Sequence, residues 1–168
     1  SFIMEEGFPF SDLKRIVESM KEAQGQTAVP IITGAIKVVE KGSAAGIFII
    51  DTNFEWDTQE LVLGLLNYGL EPENIKYIIV THAHDDRYRG AKTLQDLYPS
   101  ASIVMSLADW DVIAKDNSPA NVKPRKDMVA TDGQKLTLGD VTITLYITPG
   151  HTPGTLSLII NNLTNTKS

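Results

Sequence analysis

The chain has 168 residues, 42% of them hydrophobic and 21% charged, which suits one globular unit with a core of ordinary size. Its net charge of −6 argues against nucleic acid as the main partner, because phosphate binding needs a basic face, and no stretch reaches the ~18 apolar residues of a membrane span. There is no cysteine, so disulfides, thiolate metal sites and thiol nucleophiles are excluded, and any metal must rest on His, Asp or Glu.

Ser11 is placed to cap a helix over 11–23, with Leu13, Ile16, Val17 and Met20 on one stripe and Gly25 past its end. Residues 1–30 are read as an N-terminal helical segment and residues 31–168 as the domain that follows. Strands are expected over 35–40 and 46–52. The second of these, through Ile47-Phe48-Ile49-Ile50, is apolar at every position and should be covered on both faces. Asp57 followed by Glu60 resembles a capping box, which opens a helix through Leu61, Leu65 and Leu66 that Gly69 closes. A strand over 75–81 and a helix over 88–98, stopped by Pro99, come next.

A strand over 101–105 leads to Ser106 and Asp109, which start a short helix containing Trp110, read as a packing residue. The polar stretch 115–127 holds two prolines and reads as an exposed connection, or as a lid over a site. From Met128 onward the pattern changes to short strands with turns at Asp132-Gly133 and Gly139-Asp140. Val141, Ile143, Leu145 and Ile147 face one way in strict alternation, and threonines with Tyr146 face the other. A final strand is expected over 155–160. Helices and strands alternate first and hairpins follow, the pattern of an α/β layered domain with a mixed sheet.

The chain's three histidines fall in two segments, Thr81-His82-Ala83-His84-Asp85-Asp86 and Pro149-Gly150-His151-Thr152-Pro153-Gly154. Each segment follows a predicted strand, where loops usually carry function. Residues two apart in extended backbone project to the same side. His82 and His84 can therefore aim at one point, with Asp86 on that side too if the extended run continues. With His151 arriving from a neighbouring strand end, three neutral nitrogens would surround a cation and leave a fourth position for water, the open coordination of catalytic zinc. One histidine beside a strand is ordinarily a surface or satisfied core residue. The pair, the following acid and the Pro-Gly-His turn together point to a metal site.

The segment His82-Ala83-His84-Asp85-Asp86 resembles the His-x-His-x-Asp-His signature of the metallo-β-lactamase superfamily. Gly150-His151-Thr152-Pro153-Gly154-Thr155 resembles that family's second histidine segment, and Ile49-Ile50-Asp51-Thr52 its Asp-bearing strand end. The likeness runs from about Ile36 to Ile160 and is nearest to the branch that uses histidines and no cysteine. It implies an αββα sandwich with zinc at one edge and His82, His84 and His151 as ligands. Asp86 would bind a second metal or orient the attacking water. Asp51 would orient a ligand histidine from behind, or be an ordinary turn residue. The implied activity is attack by metal-bound hydroxide on the carbonyl of a small molecule: a β-lactam, lactone, ester or thioester.

Two departures qualify the resemblance. Arg87 stands where the signature has its last histidine, which favours one zinc over two, since its charge opposes a second cation. Arg87 would bind an anionic substrate group, or be a solvated residue at a helix start. Family members also continue past Ile160 with another sheet, an Asp bridging the metals and a further histidine. The second half of the sandwich is therefore expected to be missing. The face of Val141, Ile143, Leu145 and Ile147 would then lack part of its cover and invite self-association. The alternative to a hydrolase is a truncated, non-catalytic domain that binds metal or a partner. The sequence opens on Ser1, so a removed leader leaves both a cytoplasmic and a secreted location open.

Overall fold

A computed structural model describes residues 31–32, 35–38, 46–67 and 71–162. The helix expected over 11–23, the segment 1–30 that contains it, and the closing Gly69 lie outside the described residues. Two sheets form the body. The first runs in the order β1 (Ile31–Ile32), β2 (Ala35–Val38), β3 (Ile47–Ile50), β4 (Ile75–Ile79), β5 (Ser102–Ser106) and β6 (Met128–Ala130). Its first three strands pair antiparallel and β3 to β6 pair parallel. The second is an antiparallel meander of β7 (Lys135–Leu138), β8 (Val141–Ile147) and β9 (Leu156–Asn162). Three helices join them: α1 (Thr58–Asn67), α2 (Asp85–Leu97) and α3 (Leu107–Lys115).

The apolar runs Ile47-Phe48-Ile49-Ile50 of β3, Tyr77-Ile78-Ile79 of β4 and Ile103-Val104-Met105 of β5 reflect burial of the sheet on both faces at these strands. On one face Ile49, Ile78, Ile103 and Met105 pack against Leu65, Tyr88, Leu94, Trp110 and Ile113 of the helices. On the other, Phe48, Ile50, Ile79 and Val104 meet Leu136, Val141, Ile143, Leu145 and Leu156 of the second sheet. The described layers are thus helix, sheet, sheet. This corrects one expectation in part. Along the face of Val141, Ile143, Leu145 and Ile147, the first sheet buries the first three, and Ile147 is half-buried. The outward side of the second sheet carries Thr142, Tyr146, Ser157 and Ile159, a largely polar set.

Local chemistry sets the element boundaries. Helix α2 starts at Asp85, three residues before the expected 88, with His84 in extended backbone at its N-cap. Asp85 and Asp86 in the first turn complement the positive helix end. Helix α1 starts at Thr58, directly after a single 3-10 turn over Glu55–Asp57, so Asp57 stands just before its first residue. Ser106 caps α3 as expected and accepts from the Asp109 backbone N–H at 3.2 Å. Trp110 is buried and donates its indole N–H to the Met128 carbonyl at 3.0 Å, a packing role.

The 116–127 connection is anchored at both ends. Tyr88 donates its hydroxyl to the Asp116 carboxylate at 2.9 Å, and the Lys123 ammonium lies 3.0 Å from that group. Burial pushes the Asp116 carboxyl up, but the bonds from Lys123, the Ser118 N–H and Tyr88 overcome it and hold it below the usual carboxylate range. At the far end the buried Gln95 amide donates to the Arg125 carbonyl at 2.9 Å and to Asp127 at 2.7 Å, and accepts from the Arg125 N–H at 2.8 Å.

Candidate metal centre

β4 ends at Ile79, and the chain then bends through Thr81 into the first histidine segment. The second segment is the turn between β8 and β9. Packing one sheet on the other brings them together, and the Leu156 N–H, just after the His151 turn, donates to the Thr81 carbonyl at 2.8 Å. The rings of His82, His84 and His151 stand nearly perpendicular to one another with centroids 4.8, 4.6 and 4.6 Å apart. Their ligand nitrogens all lie within 4.8 Å of one another. Tetrahedral zinc with ~2.0 Å bonds holds such nitrogens about 3.3 Å apart, so small ring movements would close the set. His82 is buried while His84 and His151 are exposed, which leaves the cluster open to solvent on one side. Three imidazoles without thiolate suit zinc and similar divalent ions.

The protonation states favour ligation. Burial lowers the His82 pKa first, the neighbouring His151, His84 and Arg87 lower it further, and Asp86 opposes them, for a value of about 4. His82 is therefore neutral at pH 7, the form a metal needs. Thr81 decides which nitrogen is available. Its backbone N–H donates to Asp51 Oδ1 at 2.8 Å, and its hydroxyl donates to the same carboxylate at 2.9 and 3.0 Å. That hydroxyl has one proton, already given to Asp51, so at 3.1 Å from His82 Nδ1 it accepts the Nδ1–H. The Nε2 lone pair is then left for a metal.

Asp51 thus reaches the histidine through Thr81. It sits at the strand end with φ 59°, and its own N–H donates to the Ile79 carbonyl at 2.9 Å. Burial pushes its carboxyl up, while the Thr81 bonds and Arg87 pull it back. Asp86 is not part of the close imidazole group: the extended run stops at His84, and Asp86 falls in the first turn of α2. Its carboxylate lies 3.0 Å from one Arg87 nitrogen, and another Arg87 nitrogen lies 3.8 Å from Asp51. The Arg87 carbonyl accepts from the Thr52 N–H at 2.8 Å and the Thr52 hydroxyl at 2.9 Å. Arg87 is accordingly built in between two carboxylates rather than solvated.

Two residues at the site escaped the sequence reading. Thr81 was counted as a strand residue, although its place directly before a His-x-His pair was an available signal. Asp109 was counted as a helix-start acid, and the structure buries it between the histidine segments.

The family model described as the metallo-beta-lactamase superfamily matches residues 38–164, three-quarters of the chain. The chain belongs to the metallo-beta-lactamase superfamily. Among solved structures, a metallo-beta-lactamase with the HARLDQ motif from Cronobacter sakazakii is 26% identical to this superfamily member, with a TM-score of 0.68 over 77% of this chain and 54% of that one. The MIM-2 metallo-beta-lactamase is 28% identical, with a TM-score of 0.63 over 74% of this chain and 48% of that one. The chain therefore spans about half the length of these lactamases. Among curated relatives, Glyoxylase B2 of Dictyostelium discoideum is 29% identical over 113 residues, 63% of this chain and 38% of that protein. Carbamoyl dehydratase HypE of Cupriavidus necator is 62% identical over 52 residues, but these are 31% of this chain and 15% of the relative, a local likeness.

Proposed function

We propose that this superfamily member is a zinc-dependent hydrolase that opens a β-lactam, lactone, ester or thioester at one zinc ion held by His82, His84 and His151. The convergence of three imidazoles, with ligand nitrogens within 4.8 Å of one another at a solvent-open edge, carries the reading. Zinc bound there supplies a water acidic enough to ionise near pH ~7 and polarises the substrate carbonyl. The chain's own residues do the positioning. Asp51, through Thr81, orients His82. Asp86 beside the cluster is the acceptor that would orient the attacking water. Arg87 already answers the charge of Asp51 and Asp86, which supports one zinc per chain. The solved relatives named as lactamases favour a β-lactam among the four carbonyl classes.

A second reading, metal binding without turnover, draws on the tie between Asp86 and Arg87 at 3.0 Å. Metal content by mass spectrometry and a hydrolysis panel of a chromogenic cephalosporin, lactones and thioesters separate the two. The expected result is one zinc per chain and hydrolysis that falls to background in His151→Ala. Zinc bound with no hydrolysis of any substrate selects the second reading, and failure to take up zinc overturns both.

A further inference from the structure

Asp109 is fully buried in the first turn of α3. Ser106 already serves that helix end by accepting the Asp109 N–H at 3.2 Å, so the carboxylate is not needed as a cap. It is used across the fold instead. Asp109 Oδ2 accepts from the Ala83 N–H at 3.2 Å and from the Thr152 hydroxyl at 2.9 Å. Ala83 lies between His82 and His84, and Thr152 directly follows His151. One oxygen therefore holds one donor from each histidine segment.

The surroundings tighten this arrangement. Thr152 makes a closed set with Thr155: its N–H donates to Thr155 Oγ1 at 2.9 Å, and the two hydroxyls are 2.8 Å apart. Gly154 of the same turn rests directly on α3. A Cβ there would stand 1.9 Å from Ser106 Oγ and 3.0 Å from Asp109 Cγ and N. A buried carboxylate costs stability unless it is well bonded, and Asp109 Oδ1 has no partner among the described residues. Apolar filling would serve packing better, whereas a charge-assisted acceptor fixes two loops with direction.

We infer that Asp109 is the positioning residue that sets the gap between the His82–His84 segment and His151, and with it the zinc affinity of the site. This rests on the metal-site reading above. The two bonds at Oδ2 hold the imidazoles near their 4.6 Å spacing before any ion arrives. Groups that orient ligands in this way typically change metal affinity by about 10–100-fold when removed.

The test is zinc affinity of the whole chain, by competition with a chromophoric chelator at 20 °C, beside the thermal midpoint of the metal-free protein. Asp109→Leu, which removes the acceptor, and Thr152→Val should each weaken zinc binding by about 10–100-fold, and Thr152→Ser, which keeps the hydroxyl, should restore it. The Thr152 pair decides the matter if Asp109→Leu does not fold. A role in stability alone would lower the midpoint and leave zinc affinity of the folded protein unchanged, and that result overturns the inference. Wild-type protein that takes up no zinc instead defeats the metal-site reading, and this inference with it.

Discussion

Gly90 offers a direct test of how the helix that follows the first histidine segment is seated. On an open helix, replacing glycine by alanine gains up to about 1 kcal/mol. In α2 the added Cβ would stand 2.5 Å from the Thr52 carbonyl oxygen and 3.1 Å from Thr52 Cβ and Thr58 Oγ1. Ordinary contact begins at 3.4 Å, so the helix must retreat by about 0.9 Å at that carbonyl. The carbonyl cannot swing aside easily. Thr52 is bound to the Arg87 carbonyl through its N–H and hydroxyl, and the Gly90 N–H donates to Asn53 O at 3.0 Å. Overpacking of this kind costs roughly 1–3 kcal/mol, which exceeds the propensity gain. Against that fixed carbonyl the cost falls in the upper part of the range, about 2–3 kcal/mol, so Gly90→Ala should lose about 1–2 kcal/mol net and lower Tm by roughly 2–8 °C at this chain length. Differential scanning calorimetry of the metal-free protein measures it. An unchanged or raised Tm would mean that α2 has room to spare, and the close approach assigned here would be wrong.

Thr81→Val keeps the shape of the side chain but removes the hydroxyl between Asp51 and His82. Zinc affinity should drop about 10–100-fold with recovery in Thr81→Ser, and chelator competition showing equal affinity in the valine variant would refute the link. Asp116 tests the anchored connection through pH. Its folded carboxyl lies below the ordinary carboxylate value of 3.8, so around that pH the unfolded chain binds more protons. The stabilisation is complete above 3.8 and is lost as pH falls through the folded value. Asp116→Asn should flatten the fall in urea midpoint below about pH 4; parallel profiles for variant and wild type would count against the assigned bonds.

The three histidines and the core strands were legible for a simple reason: both are written in local spacing. Alternation in extended backbone places His82 and His84 on one side, and the unbroken run Ile47-Phe48-Ile49-Ile50 announces two buried faces. The backbone at Asp86 was not legible, because Asp85-Asp86 suits a continued extended run and a helix N-terminus equally well, and the structure has the helix there. The cover of Val141, Ile143 and Leu145 was missed because periodicity shows that a face is to be buried and says nothing of what buries it. A usable signal was present, since the doubly apolar β3 and β4 needed a second layer of their own. Thr81 and Asp109 act through side-chain bonds to residues 26 to 43 positions away, and such bonds leave no local pattern.

Electrostatics then ties Arg87 to the number of metals. A second dication would need carboxylate support, and here the guanidinium already lies against Asp86 and Asp51 at 3.0 and 3.8 Å. A doubly charged ion within ~4 Å of that guanidinium would meet roughly 8 kcal/mol of repulsion from it at an effective dielectric of ~20, which offsets a large part of the attraction of the two carboxylates. It would also have to break the Asp86 pair to gain a ligand. The neutral His82 faces no such penalty, and neutral nitrogen donors hold one cation without needing a compensating acid. On the proposed reading the site works with a single ion. The task of orienting water, which a second metal would share, then falls to Asp86, two residues beyond His84 and paired with Arg87.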